Sequence, residues 1–355
     1  MVTESSRTIR ASADDLAYQR GILPGVSRTF ALTIPVLPDT LAVVMTNAYL
    51  LCRLADTIED DPELTHEQKS RFHARFVAVV KGEEDAASFA LDLAPLLSER
   101  VLPAEHDLVR NTAVVLRVTH GFSAQERAVL TRCVTIMCRG MPEFQRNKSL
   151  RGLADPTELA EYCYYVAGTV GCMLTELWHE HARAVGKREF ERLWAKCQSF
   201  GEALQTVNIL KDIAWDAQHE NAIYIPALDL KAQGSGHETL LSPEHLEHNH
   251  KAVVHFIELA RTDLDDALEY TLMIPRRAFR IRAFCVLPLL FAYATLRDLS
   301  GSRAMLTVGG QVKISRREVK ALMIVGLLSL VSNSALRRLV RRVKVRPFTL
   351  VPAVG

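Results

Sequence analysis

Residues 41–58 read LAVVMTNAYLLCRLADTI and run directly into Glu59, Asp60 and Asp61. The stretch is apolar nearly all round a 3.6-residue period, which predicts a helix buried in the middle of a bundle rather than one lying on its surface. Pro35 and Pro38 precede it, and Asp39 is placed to cap its start. Towards its end Tyr49, Arg53, Asp56, Glu59 and Asp60 fall at i, i+4, i+7, i+10 and i+11, which is one helix face. Acids at the end of an apolar helix are costly to bury unless something positive meets them.

Outward from this stretch most of the chain keeps the helical period. Helices are expected over 67–81, 104–120, 124–140, 157–185, 189–216, 243–274, 276–299 and 316–342, with Pro and Gly breakers between them. Apart from a short extended piece over 311–314, no alternating strands separate these segments, and no repeat or low-complexity linker divides the chain. One all-α domain built as a helical bundle is the economical reading.

Apolar residues make up 48% of the 355 and charged residues 24%, a balance that excludes a disordered chain. A net charge of +2 gives no bulk electrostatic reason to bind nucleic acid. Seven scattered cysteines without a CxxC pair, and a polar beginning without a secretory pattern, favour buried thiols in a reducing cytoplasm. Near the C-terminal end the apolar run 321–331 is shorter than the ~20 residues a bilayer crossing needs. The basic text from Arg337 to Lys344 follows it. That segment suits a solvated cationic tail and peripheral contact with an anionic membrane equally well. Nothing points to an obligate protein partner.

A second acidic stripe repeats the pattern of the first. Gln205, Asn208, Asp212 and Asp216 follow at steps of three and four, while Leu204, Val207, Ile209, Leu210 and Ile213 fill the rest of the helix. Carboxylates at i, i+4 on two helices, with Arg53 and Lys211 beside them, offer oxygen ligands to a hard cation. Magnesium takes one or two carboxylates, keeps waters and completes its shell with phosphate oxygens, so a diphosphate is the matching partner. Surface helices also carry such pairs for solubility, and spacing alone leaves both readings open.

The ordered motifs resemble the squalene and phytoene synthases, the head-to-head branch of the trans-prenyl transferases. Ser27-Arg28-Thr29-Phe30 looks like the family's SRxF motif, and Asp56 to Asp60 like its DxxED, with Tyr49 and Arg53 in place upstream. Residues 162–171, YCYYVAGTVG, are similar to YCxYVAGxVG, and Gln205 to Asp216 to QxxNxxxDxxxD. Residues 284–288 and 312–316 look like the squalene branch. The resemblance runs from about Ser27 to about Leu322, giving an N-terminal segment 1–26, a catalytic domain 27–322 and a C-terminal helix with basic tail 323–355.

The resemblance implies a single-domain antiparallel bundle of the trans-isoprenyl diphosphate synthase type around a central apolar cavity. It assigns magnesium to Asp56, Glu59, Asp60, Asn208, Asp212 and Asp216. Phosphate and substrate contacts fall to Ser27, Arg28, Phe30, Tyr49, Arg53, Gln205 and Lys211, and proton removal to Tyr162. The implied reaction couples two farnesyl diphosphates to presqualene diphosphate, which squalene synthases then reduce with NADPH. Lys313, Ser315 and Arg316 resemble the loop that meets the NADPH phosphates and favour this reductive product over hydroxysqualene, dehydrosqualene or phytoene. Three positions depart from the family pattern: Trp215 replaces an acid, Lys211 an arginine, and Asn221 stands where an arginine is common.

Overall fold

The computed structural model of the chain describes residues 11–145, 152–219 and 222–348. It is all-α, and no strand occurs among these residues. Residues 311–314, expected to be extended as a short strand-like piece, are an irregular loop without a pairing partner. Asn221 lies outside the described residues. The chain forms two compact units, one ending at Pro142 and the other beginning at Glu143.

The first unit comprises α1 (Ala13–Val26), α2 (Arg28–Thr33), α3 (Asp39–Asp60), α4 (His66–Lys81), α5 (Ala86–Leu93), α6 (Pro103–Arg110), α7 (Thr112–His120) and most of α8 (Ala124–Gln145). Its centre is α3, where Leu50, Leu51, Leu54, Ala55 and Ile58 are fully buried, as the all-round apolar text predicts. Pro38 takes the cap position and Asp39 is the first helical residue, so Asp39 favours the helix dipole rather than capping it. Buried Asn47 fixes α3 by polar bonds. Its amide donates to Gln19 Oε1 at 3.0 Å and to the Val115 carbonyl at 2.9 Å, and its oxygen accepts from Thr119 Oγ1 at 2.9 Å. Each such bond contributes about 1 kcal/mol, and losing one partner costs more because the other is left buried. The helix expected over 104–120 is two helices. Asn111 bonds back to the carbonyl and carboxylate of Asp107 and ends the first, the local competition with helix that Asn is known for.

The second unit holds α9 (Pro156–Cys163), a π turn at Tyr164–Gly168, α10 (Thr169–His181), α11 (Lys187–Trp194), α12 (Cys197–His219), α13 (Ala227–Ala232), α14 (Leu246–Met273), α15 (Phe279–Ser300), α16 (Arg316–Ser329) and α17 (Asn333–Val345). The 189–216 and 316–342 periods therefore each contain a break, between α11 and α12 and between α16 and α17. Arg282, with no exposed surface, donates to the carbonyls of Thr271, Leu272 and Ile274 and so satisfies the end of α14. Arg297 grips both oxygens of buried Glu318 at 2.7 and 3.0 Å, tying α15 to α16.

Two helices, Asp39–Asp60 and Phe279–Ser300, are long and apolar enough to cross a membrane, but 72% and 83% of their apolar windows are buried inside the protein. Both are accounted for as core helices.

Candidate active site

On α3 the expected constellation is assembled around one guanidinium. Arg53 Nη2 donates to Tyr49 Oη at 3.2 Å, Nη1 lies 3.5 Å from Glu105 Oε1, and Nε is 3.9 Å from Asp56 Oδ2. Tyr49 Oη in turn donates to the Val26 carbonyl at 3.0 Å, and its ring packs 5.1 Å from Phe30. The last turn of α1 and the start of α2 are thereby anchored to the acidic end of α3. Ser27 caps α2 through the Phe30 amide at 3.1 Å, while Arg28 is exposed and has no ion-pair partner among the described residues.

Two carboxylates share this single cation, and a third, Asp60, adds its charge to both of them. Burial first, then the nearby charges of Asp60 and Glu105, push the Asp56 carboxyl up to about 7 despite the downward pull of Arg53. Glu105 is likewise raised, mainly by burial and further by Asp60. Burial opposes the Arg53 charge, but Tyr49, Asp56 and Glu105 outweigh it and hold its pKa above the ordinary value. The cluster therefore lacks positive charge, which is the condition a bound divalent cation relieves. Glu105 is absent from the expected residues. It sits on another helix, 52 positions from Arg53, and no local spacing marks it.

Glu59 departs from the one-face reading. Asp56 and Asp60 are both partly exposed, whereas Glu59 is 2% exposed and its carbonyl accepts from buried Lys69 Nζ at 2.5 Å. Physically the difference is rotation: Glu59 lies about 60° from Asp56 around the helix, on the side away from Asp60. Neighbouring Asp61 is wholly structural. Its two oxygens accept from the amides of Glu63, Leu64 and Ser98, turning the chain out of α3.

The second stripe is built differently. Asn208 is exposed, Asp212 half-buried and Asp216 buried at 9% along α12. Gln205 is half-buried one turn before Asn208. Lys211 Nζ already bridges Asn208 Oδ1 at 3.3 Å and Asp212 Oδ2 at 3.0 Å. Trp215 is 42% exposed and stacks on His219 with rings 3.6 Å apart.

Backbone contact places α12. A Cβ on Gly201 would stand 1.9 Å from the Ala167 carbonyl oxygen, and one on Gly171 2.0 Å from that of Cys197. Only glycine fits at either position, because no backbone atom can yield by that much. The VAGTVG letters thus encode a close approach between α12 and the stretch formed by the π turn and α10, a feature that spacing alone does not display. Tyr162, at the end of α9, is 4% exposed and stacks on Tyr224 at 4.6 Å and 15°. The π turn follows it directly; such bulges recur at functional sites.

Lys313, Ser315 and Arg316 are all exposed at the mouth of α16. Ser315 caps that helix through the Glu318 amide at 3.1 Å, and neither Lys313 nor Arg316 has an ion-pair partner among the described residues. Two uncommitted cations beside a helix N-terminus suit phosphate groups. Among the described residues no three His, Cys, Asp or Glu side chains form a closed metal cage. An open set of one or two carboxylates per helix is nevertheless the arrangement magnesium accepts when phosphate oxygens and waters complete its shell.

Residues 23–318 match the family described as squalene/phytoene synthase. The squalene synthase of Saccharomyces cerevisiae is 27% identical over 299 residues, covering 82% of this chain and 62% of that protein. That of Cochliobolus lunatus is 27% identical over 324 residues, covering 90% of this chain and 74% of its own length. The chain therefore spans only about three-fifths to three-quarters of the length of these relatives. A solved ligand complex of the protein named TcSQS superimposes with a TM-score of 0.76 at 19% identity, over 93% of this chain and 98% of that one. A dehydrosqualene synthase complex gives 0.56 at 19% identity, over 93% and 95%. These superpositions establish the fold, and the family match takes in the Ser27 motif, both acidic helices and the glycine contact: the chain belongs to the squalene/phytoene synthase family.

Proposed function

We propose that the protein is a squalene synthase, a magnesium-dependent transferase that joins two farnesyl diphosphates head to head and reduces the product with NADPH. The observation that carries this reading is the α3 cluster, two desolvated carboxylates, Asp56 and Glu105, on one guanidinium with the charge of Asp60 beside them, which needs a further cation. Asp56 and Asp60 on α3, and separately Asn208, Asp212 and Asp216 on α12, are the residues that would hold magnesium, whose charge when bound would favour departure of the diphosphate. Glu59, turned inward, braces the end of α3 rather than meeting the metal.

Arg28 and Arg53 orient phosphate oxygens, with Lys211 released from Asp212 to do the same once a cation takes that carboxylate. Tyr49, fixed by Val26 and Arg53, and Ser27, fixed as a cap, set the position of Phe30 against the isoprenoid chain. Tyr162 removes the proton as the cyclopropane closes. Its enclosure by Tyr224 and Phe144 keeps water from the cationic carbon. Lys313 and Arg316 take the NADPH phosphates. Farnesyl diphosphate and Mg²⁺ incubated with the purified protein should release squalene only when NADPH is added. An unchanged product mixture with and without NADPH refutes the reductive half, and no diphosphate release refutes the transferase.

Peripheral membrane contact at the cytoplasmic face belongs to the same reading, but through a different helix from the one its basic text suggests. Leu336, Leu339, Val340 and Val343 of α17 are buried in the protein, and only Val345 at its end is an exposed large apolar residue of that helix. The outer face of α16 instead exposes Ile324, Leu327 and Leu328 at 41–70%, at i, i+3 and i+4, and Val331 in the turn that follows is 74% exposed. Exposed Arg338 and Arg341 on α17 add the positive charge an anionic surface attracts. Sedimentation with phosphatidylserine vesicles should fall several-fold in a Leu328→Asp, Val331→Asp double variant; equal binding removes the stripe from the contact.

A further inference from the structure

The thiol pair Cys172 and Cys197 has no part in the transferase chemistry. Their sulfurs lie 2.8 Å apart, across the contact between α10 and α12. The backbones beside them also approach closely, since a Cβ on the neighbouring Gly171 would stand 2.0 Å from the Cys197 carbonyl oxygen. Disulfides need short Cα and Cβ separations, and here the helices already supply the approach. We propose that Cys172 and Cys197 are a reversible dithiol–disulfide pair that closes under oxidising conditions and pins α10 to α12.

The two members differ in the way such a pair requires. Cys172 is half-buried and reachable from solvent, whereas Cys197 is 2% exposed. The hydrogen bond from Cys197 holds the Cys172 thiol below its usual range against the effect of burial, and the same bond, with burial, pushes Cys197 up. Cys172, the member that solvent reaches, is thus the attacking thiol and buried Cys197 the resolving one. Cys52, Cys138, Cys163 and Cys285 are buried and shifted upward, so a soluble oxidant does not meet them as thiolates.

The oxidant is a low-molecular-weight disulfide. Cys172 sulfur attacks one of its sulfurs, the S–S bond breaks and one thiol leaves, giving a mixed disulfide on Cys172. Cys197 sulfur then attacks the Cys172 sulfur, passes its proton to the second leaving thiol, and the intramolecular bond forms. Two protein thiols are oxidised and one small disulfide is reduced to two thiols. In a reducing cytoplasm the pair rests as thiols and closes only when the glutathione pool is oxidised. Because Cys197 begins α12 and Gln205 follows eight positions on, closure fixes the helix that carries the second acidic stripe.

Full-length protein titrated with oxidised glutathione, trapped with N-ethylmaleimide and weighed intact tests this directly. The expected result is the loss of two alkylatable thiols from seven, a cross-linked peptide pair containing positions 172 and 197, and full recovery after dithiothreitol. Cys197→Ser should arrest the reaction at a glutathione adduct on Cys172, and Cys172→Ser should abolish both products. Wild-type protein that keeps all seven thiols, or that stops at the Cys172 adduct with Cys197 still alkylatable, overturns the proposal. The wild-type experiment decides the matter even if either serine variant fails to fold.

Discussion

On α3, Asp56 shares one arginine with Glu105, feels the charge of Asp60, and is pushed up to about 7; on α12, Asp212 is already paired with Lys211 at 3.0 Å. The first face is short of positive charge before any ligand arrives, and the second already pairs one of its two acids with a lysine. Their supports differ as well. Side-chain bonds hold α3, from Asn47 in its middle to the Tyr49–Arg53–Glu105 chain at its end. Backbone contact holds α12, through Gly171 and Gly201. Two stripes that look alike in spacing are therefore unlike in what they demand from a cation and in what would dislodge them.

The largest effect should come from the charge-starved face. Asp56→Asn removes a carboxylate that no neighbour replaces, and turnover with farnesyl diphosphate should fall at least ~100-fold, with folding unchanged by circular dichroism. Asp212→Asn, whose loss leaves Lys211 free to meet phosphate, should cost about tenfold less in turnover than Asp56→Asn. Equal losses in steady-state assays would erase the distinction between the two faces.

The opposite ranking is expected for stability. Gly201→Ala forces a methyl to 1.9 Å from the Ala167 oxygen and should cost on the order of 3 kcal/mol in chemical unfolding, because α12 cannot move without losing its other contacts. A surface-like cost below ~0.5 kcal/mol would show that backbone contact does not position α12.

How these features stood in the sequence follows from the range over which each is determined. The span of α3 and its run of acids are local, so a 3.6-residue period displays them, and the buried centre of α3 follows from the same text. Glu105 reaches Arg53 from another helix and leaves no trace in spacing. The breaks at Asn111, between Trp194 and Cys197 and between Ser329 and Asn333 interrupt good helical periods without Pro or Gly, and tertiary packing decides them. The inward rotation of Glu59 is a matter of 60°, finer than a motif resolves. Gly171 stands in the sequence as a letter of the 162–171 motif and Gly201 in no motif at all, and the collision that makes both glycine appears only when Cys197 and Ala167 are in place.

Reliance on buried polar groups should also make the first unit sensitive to acid. His73 is 1% exposed, lies 3.1 Å from the Ala55 carbonyl on α3, and burial lowers its pKa to about 4. The folded state therefore binds this proton less readily than the unfolded chain, whose histidine titrates at about 6.5. Stability is complete above that value and is lost as pH falls through it towards 4, by roughly 2–3 kcal/mol in total. Urea unfolding between pH 7.5 and 5 should show the decline, and His73→Gln, which retains a donor for Ala55, should flatten it. An unchanged slope in the variant would place the acid sensitivity elsewhere.

The smallest effect expected is at Trp215, and it bears on whether the second face is complete as it stands. The indole is 42% exposed and stacked on His219, so replacing it should cost less than about 1 kcal/mol of stability. Trp215→Glu adds a carboxylate one position before Asp216. If α12 holds its cation less firmly because Lys211 already satisfies Asp212, the added charge should lower the magnesium concentration for half-maximal turnover about threefold, a shift of the size one surface charge gives. If the magnesium requirement does not move, the three ligands on α12 suffice, and the imbalance between the two faces lies wholly in the carboxylates that crowd Arg53.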